Sequence, residues 1–304
     1  MIDIAEAVKE TKAKGIKVYP QHKNRASEIG HPCAKYLTLL RTNWADRSPH
    51  DVGLQFIFDR GNAVEERALS DIAKAGFRVV ETQRPFEWKE YELTGMIDAK
   101  VEADGGLYPL EVKALSPYVW PSLNTIEDFH RSNRLWIRKY PAQLMIYLLM
   151  AEEERGIFYI VNGMNWEPKC VWVELDYEYA DKILNKIKAV NQHIKDGTFP
   201  EGIADPDICP DCPFISTCLP EIIRDPISID DDPELEEELE RWEELKPYNK
   251  EYEKLDKALK VKLEGIEQAL VGNFLIMGKY QERKGYTVED TTYWRKSVKR
   301  LETA

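Results

Sequence analysis

The chain has 304 residues, of which 43% are hydrophobic and 11% aromatic, and this composition is typical of a globular protein rather than a disordered one. Its formal net charge of −12 argues against a general polyanion-binding protein, because phosphate contacts need Lys and Arg. The charged amino-terminal stretch lacks a secretory apolar segment, and the longest apolar run, at 142–151, is shorter than the roughly 20 residues of a membrane span. We therefore expect a cytoplasmic protein with no membrane contact.

The charge is distributed unevenly. Much of the acid lies in one block at 230–245, whereas Arg131, Arg134, Arg138 and Lys139 form a basic cluster. The net charge is therefore only a weak argument against nucleic acid as a partner. The chain has five cysteines, an odd number, which indicates a reducing compartment rather than a disulfide framework. Three of them fall together in CPDCPFISTC at 209–218, and this spacing predicts a metal or cluster site.

The predicted elements alternate along the chain. Hydrophobic periodicity and turn residues predict, in order, a short helix within 25–41, a helix at 60–76, a strand and turn at 77–88, a hairpin at 93–115, a helix at 141–154, strands at 156–163 and 169–175, a helix at 176–197, one or two charged helices within 233–270, and strands at 273–301. The alternation from 60 to 196 predicts an α/β core. We expect an amino-terminal segment at 1–24, a core at 25–220, an acidic helical segment at 221–270 and a strand-rich extension at 271–304.

The hairpin LTGMIDAKVEADGGLYPLEVKAL, at 93–115, carries charges inside strands that should be buried. Residues of equal parity share a face of a strand, so Glu111 and Lys113 point the same way. A two-residue turn at 104–105 sets Asp98 opposite Glu111, and a turn at 105–106 sets it opposite Lys113. Either register places Asp98 on the face of these two residues.

Two carboxylates and an ammonium group on one face suit a divalent cation such as Mg²⁺, which proteins bind through one or two carboxylates plus water and phosphate. Lys113 would then orient or help deprotonate the attacking water, and offset the charge that develops in the transition state. The alternative is a structural salt-bridge patch on the solvent face of the hairpin.

Asp98 followed by Glu111-Val112-Lys113 resembles the core of the PD-(D/E)xK nucleases. Within them the chain is similar to the RecB-type branch with an iron–sulfur cluster, which includes CRISPR-associated exonucleases, the AddB nuclease domain and phage-encoded nucleases. Further motifs match in order between residues 27 and 220: Cys33, Gly61 with Glu65, Gln143 with Tyr147, and Cys209, Cys212 and Cys218. Glu65 departs from the His that is usual in the CRISPR-associated members and is more like the lambda-type phage exonucleases.

The resemblance implies a restriction-endonuclease-like fold, with a mixed central sheet flanked by helices, an iron–sulfur-tied helical amino-terminal part and a carboxy-terminal appendage. It implies that Glu65, Asp98, Glu111 and the Val112 carbonyl hold Mg²⁺ or Mn²⁺. It also implies that the helix of Gln143 and Tyr147 lies beside the site. Simpler interpretations are a solvent-facing Glu65 and a partly buried polar pair at Gln143 and Tyr147.

Cys33, Cys209, Cys212 and Cys218 can hold either zinc or a [4Fe–4S] cluster, and the resemblance favours the cluster. The fifth cysteine, Cys170, is most simply a buried small hydrophobic residue.

Aromatic residues at 118, 120, 136 and 140 accompany Arg131, Arg134 and Arg138, and this mixture suits stacking on single-stranded bases as well as ordinary packing. The sequence thus predicts a metal-dependent deoxyribonuclease, an exonuclease acting on DNA ends or single strands. The setting would be recombination, repair, phage DNA processing or CRISPR spacer acquisition. The alternative is a non-catalytic module that binds DNA ends. The acidic helices are either solvated faces or a surface for a protein partner, and such a partner would favour this alternative.

Overall fold

The computed structural model describes residues 3–203, 205, 207–222, 233–264, 268–271 and 274–277. The chain divides after Ile222 into two compact units. The helices of the first unit are α1 Ile4–Gly15, α2 Ala34–Thr42, α3 Val52–Lys74, α4 Ile126–Arg131, α5 Leu135–Arg138, α6 Tyr140–Ala151, α7 Tyr177–Asp196 and α8 Ile215–Ile222. Its strands are β1 Asn24–Arg25, β2 Arg78–Val80, β3 Arg84–Trp88, β4 Leu93–Ile97, β5 Ala99–Ala103, β6 Gly106–Leu115, β7 Arg155–Asn162 and β8 Pro168–Glu174.

The centre of the first unit is a five-stranded mixed sheet with the order β2-β5-β6-β7-β8. The strands β6 and β7 run parallel, and the other neighbours are antiparallel. A smaller sheet has the order β1-β4-β3. The predicted restriction-endonuclease-like architecture, a mixed sheet flanked by helices, is confirmed.

Helices cover both faces of the central sheet. On one face α3 buries Val64, Ala68 and Ile72 in a cluster with Leu110 and Val112 of β6. On the opposite face α6 is apolar around most of its circumference because it lies between the sheet and other helices. α7 closes this side with one apolar stripe and ends at Gly197, whose φ of +65° suits a residue without Cβ.

The predicted hairpin forms, but its first half is not one strand. The backbone bends at Asp98, so β4 joins the small sheet and β5 joins the central sheet. The turn lies at Asp104 and Gly105, since Ala103 pairs with Gly106, and both turn residues have positive φ as a type I′ turn requires. This is the register that sets position 98 opposite position 111.

The prediction that Cys170 is buried is wrong. In β8 it is Val171 and Val173 that face the core, at 3% and 1% exposure, and Cys170 has the opposite parity and is exposed. The second unit contains α9 Pro233–Leu263 and an antiparallel pair, β9 Gln268–Val271 with β10 Phe274–Met277. The strands predicted beyond 277 lie outside the described residues. Of the helices described, none has the length and apolar character to cross a membrane.

Candidate active site

Glu111 and Lys113 project from β6 towards α6, whereas Leu110 and Val112 project towards α3, as strand parity predicts. The Nζ atom of Lys113 lies 2.8 Å from Oε2 of Glu111. The Glu111 side chain is 1% exposed, and that of Lys113 is 15% exposed. This burial excludes a salt-bridge patch on the solvent face of the hairpin.

Asp98 occupies the bend between β4 and β5, next to the same strand. Its Oδ2 atom accepts a hydrogen bond of 2.8 Å from the backbone amide of Val112. Its backbone carbonyl accepts one of 3.0 Å from the amide of Gln83. Burial raises the pKa of Asp98, and the nearby Lys113 ammonium only partly opposes this. The bend therefore fixes both the main chain and the carboxylate of Asp98.

Glu65 completes a group of three carboxylates with Asp98 and Glu111, which we call the carboxylate cluster. Glu65 is half-buried on α3, unlike the exposed Glu66, and its Oε1 accepts a hydrogen bond from the side chain of Gln83. Burial raises its pKa, and repulsion from Asp98 raises it further. The simpler interpretation of Glu65 as a solvent-facing residue does not fit this environment.

Of the three carboxylates, Glu111 has the least favourable electrostatic environment for a negative charge. Burial raises its pKa to about 8, and the charges of Asp98 and Glu65 act in the same direction against the attraction of Lys113. Its Oε1 atom is buried and has no hydrogen-bond partner among the described residues. A buried carboxylate oxygen without a partner is costly, so an additional cation would fit this position.

Lys113 is held as an ammonium group. Burial alone would lower its pKa, but the attraction of Glu111 and Asp98 outweighs burial and raises it. The ammonium nitrogen lies 3.4 Å from Oε1 of Gln143 and 4.7 Å from the ring centroid of Tyr140. A charged Lys113 can donate hydrogen bonds and offset negative charge, but it cannot accept a proton.

Gln143 and Tyr147 lie one turn apart on α6 and form a buried pair. The Nε2 atom of Gln143 donates to the Tyr147 hydroxyl at 3.2 Å. That hydroxyl accepts from the Met96 amide at 3.2 Å and donates to the Met96 carbonyl at 2.9 Å. The pair is thus a satisfied polar contact in the core that also joins β4 to Lys113.

The sequence did not predict two residues that contact this site. Gln83 bonds both to Glu65 and to the backbone of Asp98, and nothing in the local pattern marks it. The sequence suggests either base stacking or ordinary packing for Tyr140, whereas in the structure its ring lies over Lys113. Its position three residues before Gln143, on the same helix face, is the signal that could have identified it.

The basic cluster lies at and between α4 and α5: Arg131 ends α4, Arg134 precedes α5 and Arg138 ends α5. Arg131 and Arg134 are exposed, and Arg138 is half-buried. The Nε atom of Arg138 is buried, and within the described part of the chain it has no hydrogen-bond partner. An unsatisfied guanidinium nitrogen suits an anion, and the phosphate of a nucleic acid is one such anion.

The four predicted cluster cysteines are brought together from opposite ends of the first unit. Cys33 begins α2, where its Sγ accepts from the Tyr36 amide at 3.4 Å, and it packs in one apolar cluster with Cys212 and Cys218. Cys209 lies close enough to Cys33 for their charges to interact. Burial raises the pKa of Cys212 to about 11, so its thiol is protonated at neutral pH.

Neither group of residues forms a finished metal site as it stands. Within the described ranges, no three or more His, Cys, Asp or Glu side chains are arranged to hold a metal ion directly. In the carboxylate cluster, one oxygen of each member is engaged by Lys113, Val112 or Gln83. The donor chemistry and the unpartnered Glu111 oxygen nevertheless fit a hard divalent cation.

The matching family model is that of the PD-(D/E)XK nuclease superfamily, and the match covers residues 15–219, about two thirds of the chain. The chain belongs to the PD-(D/E)XK nuclease superfamily. It is therefore related to nucleases over the whole of the central sheet and its flanking helices. No curated protein matches it.

Solved structures give weaker similarities to this superfamily member. The structure of SSO0001 is 14% identical, with a TM-score of 0.43 and coverage of 71% of this chain and 96% of the other. The alkaline exonuclease LHK-Exo from Laribacter hongkongensis is 18% identical, with a TM-score of 0.39 and coverage of 58% and 89%. Its complex with dAMP is 16% identical, with a TM-score of 0.37 and the same coverage.

Proposed function

We propose that the protein is a divalent-metal-dependent deoxyribonuclease that hydrolyses phosphodiester bonds at DNA ends or in single strands. The observation that carries the proposal is the environment of Glu111. This carboxylate is fully buried, one of its oxygens lacks a partner among the residues that the structure describes, and the other contacts the ammonium group of Lys113. Membership of the superfamily supplies the reaction class.

In this proposal Glu65, Asp98, Glu111 and the carbonyl of Val112 hold Mg²⁺ or Mn²⁺. The bound cation would act as a Lewis acid on the phosphate and lower the pKa of the attacking water. Burial, with added repulsion from Asp98, raises the pKa values of Glu65 and Glu111, and this supports the assignment because a cation would stabilise both charged carboxylates.

Lys113 orients the attacking water and offsets the negative charge that develops on the phosphate oxygens. Its charge is maintained by Glu111 and Asp98, and its direction is set by Gln143 and Tyr140. Preorganised donors of this kind need no rearrangement during the reaction, which is why they contribute strongly to catalysis.

The DNA strand is proposed to contact Arg131, Arg134 and Arg138. Gln143 and Tyr147 are only 7% and 2% exposed, so they are instead proposed to orient Lys113, Tyr147 through its hydrogen bond with Gln143. The buried and unpartnered Nε of Arg138 supports an anionic ligand at this place. The exposed Arg131 and Arg134 would supply the salt-dependent part of the affinity.

We further propose that Cys33, Cys209, Cys212 and Cys218 hold a [4Fe–4S] cluster, as in the RecB-type branch, with zinc as the alternative ion. Their proximity across the first unit supports it, because ligands from both ends of a domain would turn binding energy into folding energy. Iron and sulfide analysis of anaerobically purified protein decides between the two groups. Zinc without iron would contradict the cluster.

We test the nuclease with end-labelled single-stranded DNA, in Mg²⁺ or Mn²⁺, on anaerobically purified protein. The wild type should release label, and Glu111→Gln should not. Glu66→Gln is the matched control, because Glu66 is an exposed glutamate beside the cluster member Glu65. Binding of DNA without cleavage by the wild type would favour the alternative, a non-catalytic module that binds DNA ends. The assay does not presuppose the setting, for which recombination, repair, phage DNA processing and CRISPR spacer acquisition are the candidates.

For the second unit we propose a protein partner that binds α9. Large apolar residues recur on this helix at alternating spacings of three and four: Leu245, Tyr248, Tyr252, Leu255 and Leu259. All of these side chains are at least 46% exposed. The exposed Glu244 and Glu251 flank them on the helix. This pattern on α9 would suit a partner protein that presents an amphipathic helix with Lys or Arg beside its apolar stripe.

The partner proposal is tested with two synthetic helical peptides that share Leu at the core positions. One carries Lys at the flanking positions, and the other carries Glu there. Fluorescence anisotropy should show binding of the Lys peptide alone, and Leu255→Asp should abolish it. Equal binding of both peptides, or of neither, would contradict the proposed charge complementarity.

A further inference from the structure

The first turn of α6 determines where the ammonium group of Lys113 lies. Two side chains of this turn reach Lys113: the ring of Tyr140, 4.7 Å from Nζ, and Oε1 of Gln143, 3.4 Å from it. Gln143 also begins the main-chain hydrogen bonding of the helix, through its amide and the carbonyl of Lys139 at 3.4 Å. A displacement of this turn would therefore move two of the groups that contact Lys113.

This turn is itself anchored by a segment far away in the sequence. Oε2 of Glu28 lies 2.6 Å from Nζ of Lys139, the residue that immediately precedes α6. The Glu28 and Lys139 side chains are 20% and 18% exposed, so the pair is largely shielded from solvent. Shielding of this degree makes the ion pair stronger than one at the surface.

The backbone makes a second contact at the same place. A Cβ atom at Gly30 would lie 2.5 Å from the carbonyl oxygen of Lys139, closer than real Cβ contacts allow. The chain at 28–30 and the start of α6 thus touch through the main chain as well as through the ion pair. Such a double contact holds the helix terminus in position and in orientation.

Glu28 is held in turn by the helix that Cys33 begins. The hydroxyl of Tyr36 donates to Oε2 of Glu28 at 3.2 Å. The ring of His31 stacks on the ring of Tyr36 with 4.0 Å between centroids. The Oε2 atom of Glu28 is therefore held by two elements, by Tyr36 on α2 and by Lys139 at the start of α6.

We propose that Glu28 is a positioning residue of the nuclease site: it holds the first turn of α6 against Gly30, so that Tyr140 and Gln143 fix the ammonium group of Lys113. This inference rests on the proposed nuclease function. Glu28 touches none of the carboxylate cluster and acts through Lys139, so it orders Lys113 without itself taking part in the reaction.

Kinetics on single-stranded DNA give the first test. Glu28→Gln should lower kcat about tenfold and change KM by less than about twofold, because misplacement of a catalytic group affects the chemical step. The double variant Glu28→Lys with Lys139→Glu restores the pair with reversed charges and should recover most of kcat. Glu87→Gln is the matched control, since it removes an ion pair with Lys23 whose partners are both 46% exposed.

A second measurement does not need cleavage. Amine-reactive acetylation followed by mass spectrometry, well below the unfolding temperature, reports how well Lys113 is enclosed. Acetylation of Lys113 should be several-fold faster in Glu28→Gln than in the wild type or in Glu87→Gln. Unchanged acetylation together with unchanged kcat would overturn the inference, as would a loss of kcat that only follows the loss of folded protein. If Lys113 is acetylated faster in Glu28→Gln but the wild type does not cleave DNA, the positioning role of Glu28 is supported and the nuclease function is refuted.

Discussion

The carboxylate of Asp98 accepts a 2.8 Å hydrogen bond from the amide of Val112, the residue between Glu111 and Lys113. The side chain therefore has a structural role in the absence of any ion. It satisfies a backbone donor at the bend and sets the distance between the bend and β6. A substitution at this position must separate that role from the proposed binding of a cation.

Asp98→Asn and Asp98→Ala should differ in stability but not in activity. Asn keeps an oxygen that can accept from the Val112 amide, whereas Ala leaves this donor unsatisfied at a cost of about 1–3 kcal/mol in the free energy of unfolding. Both variants should lose DNA cleavage and the rise in melting temperature that Mn²⁺ gives the wild type. Thermal unfolding with and without Mn²⁺ measures both effects. If Asn retained the Mn²⁺ effect, Asp98 would not be a ligand.

Lys113→Met should lose cleavage and keep metal binding. Methionine fills a similar volume in this buried place, but it supplies neither charge nor hydrogen-bond donor. We expect a loss of at least about 100-fold in kcat, in the range seen when one stabilising donor is removed from an active site. Calorimetric titration with Mn²⁺ should still show binding, because the carboxylate cluster is intact. Residual activity near that of the wild type would contradict the role of Lys113.

Lys186 should make the stability depend on pH in the alkaline range. Burial lowers its pKa from the ordinary value of 10.5 to about 8, while its Nζ donates to the His31 carbonyl at 2.9 Å. Between these two values the unfolded chain binds the proton that the folded chain has lost, so the free energy of unfolding rises with pH. The rise from about pH 7 to about pH 10 should be about 1–3 kcal/mol.

Urea unfolding at the two pH values measures this rise. In Lys186→Met it should be smaller by that amount. Lys195→Met, at an exposed position on the same helix, should keep the slope of the wild type. A slope that is identical in the wild type and Lys186→Met would show that Lys186 does not titrate in this range.

Gly95→Ala should disturb the pair of Gln143 and Tyr147. A Cβ atom at Gly95 would lie 2.6 Å from the Tyr147 ring and 2.9 Å from Cβ of Ala26, so the ring must move. We expect a loss of about 1–3 kcal/mol in the free energy of unfolding, as for other overpacked cores. Gly61→Ala is the control, since nothing lies within 4 Å of a Cβ there and Ala favours a helix interior by about 1 kcal/mol. Equal stability of Gly95→Ala and the wild type would contradict the close packing.

The sequence predicted those features that depend on neighbours along the chain. Strand parity placed Glu111 and Lys113 on one face, and the Asp-Gly turn gave one of two registers, of which the structure has the first. Helix periodicity placed Gln143 and Tyr147 together. Each of these follows from the geometry of a single element or hairpin.

The features that were not predicted depend on contacts between distant segments. The bend at Asp98 arises because β4 pairs with β3 and β1, while β5 pairs with β2 and β6, and no local signal announces a change of sheet. Gln83 acts through partners at least 15 residues away, and Glu28 acts through Lys139, which is 111 residues away. The burial of Cys170 was misjudged because the parity of an isolated strand does not say which face meets the core.

At the bend, the single residue Asp98 connects the two sheets through its hydrogen bonds. Its backbone carbonyl holds the Gln83 amide next to the small sheet, and its carboxylate holds the Val112 amide in the central sheet. An ion that binds this carboxylate would change how well both amides are protected from hydrogen exchange. Hydrogen–deuterium exchange at residues 83 and 112 is therefore expected to respond together to Mn²⁺, so that occupancy of the site can be read from the backbone without any substrate.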